Sequence, residues 1–176
     1  VRSSAASDVY KRQLIIVSLF IYFLKDSLKK HAGIYYIGAA VISIAVFLIG
    51  FLPMPLFLKY NILGMFAKGS LGTAMFVAVM YAGALPKGSK LIAPLMKIRG
   101  ELSITAAILV LCHNFTYGMT YFKMLFIKPA ALSATQLTAA IISIILITIM
   151  LVLTVTSFQA VRKKMKAKKW KQLQRT

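Results

Sequence analysis

The sequence predicts an all-α protein, a polytopic transmembrane helical bundle of about five helices. Three observations carry this expectation. Of 176 residues, 60% are hydrophobic and only 14% charged, with a mean hydropathy of +0.81. A soluble domain is about half apolar and about a quarter charged. The apolar residues gather in five blocks, and none alternates with the period of two that a membrane β-strand needs. The charges cluster between the blocks.

The first block, Leu14–Leu24, is short of the roughly 20 residues that span a hydrocarbon core. Residues 1–13 before it, VRSSAASDVYKRQ, have neither the central apolar run nor the cleavage site of a signal peptide. The string SSAASDVYKRQ resembles a translated sequencing adapter and is set outside the fold. The expected organisation is a non-native segment 1–13, a helical membrane domain 14–160, and a basic cytoplasmic segment 161–176 that leads into a missing helix. The chain is thus expected to be a fragment of a longer protein. The second block, Ile34–Leu52, is a full span. Pro53 and Pro55 end it, since proline removes a helix hydrogen bond and clashes with the preceding turn. The third runs from Ile62 to Leu85, with Lys68 near its entrance and Pro86 after it. Its small residues Gly64, Gly72, Ala74, Ala78 and Ala82 predict close helix packing. The fourth block is Leu102–Phe126, closed by Pro129, and the fifth is Leu137–Phe158.

The charge pattern gives a topology. The chain carries 22 Lys+Arg against 3 Asp+Glu, a formal charge of +19. Segment 25–33 holds Lys25, Lys29 and Lys30, and segment 86–101 holds Lys87, Lys90, Lys97 and Arg99. The tail holds a run of cations from Arg162 to Arg175. The alternate loops are poorer, with Lys59 and Lys68 in one and Lys128 in the other. Rich and poor loops alternate, so the positive-inside rule puts 25–33, 86–101 and the tail on the cytoplasmic side. The positives frame apolar spans rather than a folded basic face, which argues against nucleic acid as a partner and for membrane lipid.

The residue most open to chemistry is His113, an imidazole eleven residues into the fourth block and near its middle. Ionisable groups at such depth are costly and mark functional sites by default. On an α-helix Arg99, Leu102, Ala106, Leu109, His113, Tyr117 and Thr120 follow steps of three and four and form one stripe. A haem edge would suit that stripe, with iron on the imidazole and a propionate near the guanidinium. A buried histidine hydrogen-bonded to a neighbouring helix is the alternative, and both stay open on the residues alone. His31 reads as a solvated loop residue beside Lys29 and Lys30. Cys112, the single cysteine, reads as a small packing residue. Hydrolase, phosphate-loop and paired-carboxylate sites have no support, because outside the suspected adapter the carboxylates are Asp26 and Glu101, both at span ends.

From Arg99 onward the chain resembles the ferric reductase-like transmembrane domain family, in particular the haem-binding membrane subunits of bacterial methionine sulfoxide reductase systems. Arg99, Leu102, Ala106, His113 and Tyr117 fall on one family pattern. Thr156 and Ser157, then Trp170, Leu173 and Arg175, fall on a second. Gln174 replaces a common family histidine, Gly100 a second arginine, and Ser103 a glycine. The likeness spans roughly residues 60–176. It implies b-type haem, with His113 as metal ligand and Arg99 and Tyr117 as cofactor-binding residues. It also implies electron transfer across the membrane, with a reductase or flavin-containing partner. Two other readings are a haem-free transporter or channel segment and a structural membrane subunit.

Overall fold

The computed structural model of the chain describes residues 2–49, 52, 53, 55, 57, 66, 68–84 and 92–173. Among them all regular structure is helical, as the sequence predicts. In chain order these are α1 (Arg2–Lys30), α2 (Ala32–Ile49), α3 (Ser70–Ala84), α4 (Ile92–His113), a π-helical turn (Asn114–Gly118), α5 (Met119–Ile127), a 3-10 turn (Pro129–Ala131), α6 (Ala134–Ser157), α7 (Gln159–Arg162) and α8 (Ala167–Leu173). Two compact units divide the chain at His113, Val1–His113 and Asn114–Thr176.

In the first unit α4 is the central helix and packs on α1, α2 and α3. Its buried residues Ile98, Leu102, Ile104, Ala106, Ala107, Leu109 and Cys112 point in every direction around the axis. From Leu102 onward the helix is apolar on nearly all sides, which calls for cover by protein or lipid, and α1, α2 and α3 cover most of it. Val17 and Leu28 of α1, Ala39 of α2, and Leu71, Ala74, Met75 and Val79 of α3 complete that core. The predicted small-residue packing is realised at Gly72. A Cβ there would meet Val110 Cγ2 at 2.7 Å and the Ala106 carbonyl oxygen at 2.9 Å, so only glycine allows α3 this close to α4. Gly64 and the Ala82 side chain lie outside the described residues.

α1 and α2 form a pair, with Phe20 edge-on to Tyr35 at 5.9 Å and the Tyr35 hydroxyl donating to Ser27 Oγ at 2.9 Å. The segment 25–33, expected as a loop, is helical except at His31, which is exposed. Helix α1 also runs through residues 2–13, and Gln13 is 2% exposed. Segment 86–101 likewise turns helical at Ile92, with Pro94 in the first turn, where a missing N–H costs no hydrogen bond. Lys59, Lys87 and Lys90 lie outside the described residues.

The second unit is built differently. α6 starts with a reciprocal cap, in which Ser133 Oγ accepts from the Gln136 N–H at 3.3 Å and Gln136 Oε1 accepts from the Ser133 N–H at 3.0 Å. Such a box satisfies two otherwise orphan donors. Of the residues of α6 only Ala140 is buried. Phe158 is extended and ends α6, and the chain returns through α7 and α8.

Two described helices, α2 and α6, are long and apolar enough to cross a membrane. Among the described residues the other three expected spans do not meet that description. α1 carries charges at both ends, and described α3 is 15 residues long. The fourth block is helical throughout but changes from α to π geometry at Asn114.

Candidate functional site

The site is built where α4 ends and α3 begins. Phe66 is helical, Lys68 turns, and Gly69 adopts φ +69° before α3 starts at Ser70. The third apolar block is therefore broken about a third of the way along. Only glycine takes that backbone conformation without strain. The Gly69 carbonyl accepts both the Thr73 N–H and the Thr73 hydroxyl at 2.9 Å, which ties the turn to the first turn of α3.

His113 lies directly against this turn. A Cβ on Gly69 would stand 2.9 Å from His113 Cβ and 3.0 Å from Cγ. The imidazole is partly buried and contacts bare backbone at the N-terminal end of α3. Its helix neighbour Cys112 is 5% exposed, and its thiol donates to the Ser43 carbonyl of α2 at 3.3 Å. That is the packing role expected for Cys112.

The predicted stripe is only partly an open face. Leu102, Ala106 and Leu109 lie in the core among α1 and α3. A flat ring laid along the stripe would meet side chains already packed there. Arg99 and His113 lie about 21 Å apart along the axis of α4, at about 1.5 Å per residue. The structure does not bring them together. Tyr117 falls in the π turn, its side chain outside the described residues, and Thr120 lies in α5. The α-helical stripe stops at His113.

At this end of α4 the imidazole of His113 offers one nitrogen donor to a metal. Among the described residues no group of three His, Cys, Asp or Glu side chains could hold a metal ion. His31 follows Lys29, whose ammonium sits on Glu101. That level of α4 is about 18 Å from His113, so the two histidines cannot share one iron.

Glu101, by sequence a carboxylate at a span end, is a buried ion-pair partner. It is 7% exposed, and Lys29 Nζ donates to its Oε1 at 2.6 Å. The lysine is half-exposed while the carboxylate is buried. The pair locks α1 to the middle of α4. The signal was available: Glu101 is the one acid in a cationic segment and directly precedes the buried Leu102. Gln13 is another buried polar group, and its Oε1 has no hydrogen-bond partner.

Comparisons with known proteins add one likeness. No family model and no solved structure matches the chain. Over 167 residues, 92% of the chain, it is 37% identical to an uncharacterized protein of Treponema pallidum (strain Nichols). The chain spans 45% of that relative's length.

Proposed function

We propose that the chain is the helical part of an integral membrane protein that binds b-type haem and carries electrons across the bilayer, with His113 as an axial ligand. The observation that carries this reading is the imidazole of His113, partly buried at the end of the central helix, after the apolar stretch Leu102–Cys112, and seated on the Gly69 turn. The likeness of the Arg99–Tyr117 segment to ferric reductase-like domains supports it. Haem would supply the one-electron chemistry, at a potential set by its axial ligands and burial. The chain's own residues would orient the ligand. Gly69 fixes the ring from one side, and the Cys112–Ser43 contact holds the end of α4 on α2. Arg99, so far along the helix, would act as a cation at the cytoplasmic mouth. A flavin-containing reductase partner would complete the electron path. The five apolar blocks would cross a bacterial cytoplasmic membrane, with the tail inside.

The test is a reduced-minus-oxidised spectrum of the full-length protein with and without His113→Ala. The reading predicts a low-spin b-type signal that falls markedly in a variant whose helical circular dichroism is intact. Unchanged haem content in such a variant would remove His113 as a ligand. The 176-residue chain alone should bind haem weakly or not at all, because His31 follows the Lys29–Glu101 pair, a level of α4 about 18 Å from His113.

A haem-free transporter is the second reading, and the break at Lys68–Gly69 favours it. Interrupted membrane helices place half-helix ends at substrate sites near the bilayer midplane. It predicts no visible absorption and a flux that is lost in His113→Ala.

A further inference from the structure

The tail is folded back rather than trailing. The indole N–H of Trp170 donates to the Thr156 carbonyl at 2.9 Å, in the last turn of α6. That carbonyl is one of the acceptors a helix end leaves without a partner in the helix. The Arg162 guanidinium stacks over the same indole, 4.5 Å from the ring centre. Met165, Trp170 and Leu173 are partly buried, while Arg162 and all six lysines between 163 and 171 are exposed. No acidic residue interrupts the run.

We infer that this hooked tail is a docking surface for the headgroups of anionic phospholipids, held at headgroup depth by Trp170. The inference rests on α6 being a membrane span. If it is, the carbonyl that receives the indole lies at its end, and tryptophan favours that interface. The cations are then fixed beside the lipid phosphates instead of sampling the cytoplasm. A cluster of this kind attracts anionic lipid through the charge of each lysine near the surface. The arrangement differs from a plain topology signal, because charge alone sets orientation and needs no ring tied to the helix end.

Trp170 is the single tryptophan, so its fluorescence reports on the hook alone. The full chain is reconstituted in mixed phosphatidylcholine and phosphatidylglycerol vesicles, with bromine on the acyl chains of one lipid or the other. At equal mole fraction, brominated phosphatidylglycerol should quench Trp170 at least about twofold more than brominated phosphatidylcholine. The preference should shrink at roughly 0.5 M salt, where the Debye length is a few ångströms. A Lys163→Gln, Lys164→Gln, Lys166→Gln variant should lose the preference yet keep its quenching by brominated phosphatidylcholine. Equal quenching by both lipids in the unmodified chain would overturn the inference, as would a full preference in the triple variant. So would a Trp170 response to added single-stranded RNA with none to lipid. Extraction of the chain by alkaline carbonate would instead overturn the membrane reading itself, and the inference with it.

Discussion

α4 and α6 are both long and apolar, and they bury themselves in opposite ways. α4 carries charged residues in its first turns, and protein covers most of its half from Glu101 to Cys112. α6 carries no charge at all, and of its buried residues only Ala140 belongs to the helix body. Hydropathy alone ranks α6 as the core-like helix and α4 as the ambiguous one. The packing reverses that order. What separates them is the residues that allow close approach and the polar groups that have partners. Gly72 admits the backbone of α4, and Lys29 neutralises Glu101. α6 has neither device, and its exposed isoleucines Ile141, Ile142, Ile145 and Ile149 suit lipid.

The comparison predicts a graded response to mutation, read as thermal unfolding in detergent. The largest effect is expected for Gly72→Val. The added methyls meet a backbone carbonyl that cannot move aside, and overpacking of this kind costs about 3 kcal/mol at the upper end of its usual range. Gly69→Ala comes next, at about 2 kcal/mol, because it adds left-handed strain to a contact with His113. It should also alter any spectral signal that depends on His113, and an unaltered signal would separate the turn from the site. Lys29→Ala should cost about 1–2 kcal/mol, below the cost for a fully buried pair because the lysine is half in solvent. Glu101→Gln should cost less than Lys29→Ala, since it leaves no buried charge alone. The reverse order would show that Glu101 is well hydrated. Ile145→Ala in α6 should stay within about 0.5 kcal/mol. A loss as large as that for Gly72→Val would mean that α6 is covered by protein.

Much of the fold was legible where local chemistry decides it. Pro53 lies beyond the end of α2 and Pro129 follows α5, as expected. The close-packing role of Gly72 and the packing role of Cys112 followed from residue size. Other features depend on contacts distant in sequence. Helix continues through 25–30 and 92–101 although both segments read as charged loops. The Lys29–Glu101 pair, 72 residues apart, lets charge sit on packed helix there. The break at Gly69 was hidden because one glycine in an apolar block reads equally as a packing residue. The π turn after His113 has no signature in the periodicity, and it ends the stripe on which Tyr117 was placed. The position of His113 as a candidate was legible; its neighbour Gly69 was not.

The central claim is that the chain crosses a membrane with its basic segments on one side. Single cysteines at Lys97, Ala131 and Lys166, each in a Cys112→Ser background and each at an exposed position, test it with an impermeant thiol reagent. Intact cells and inverted vesicles are compared. The account predicts that positions 97 and 166 label together from the cytoplasmic face and that position 131 labels only from the opposite face. Labelling of 97 and 131 from the same face would contradict it.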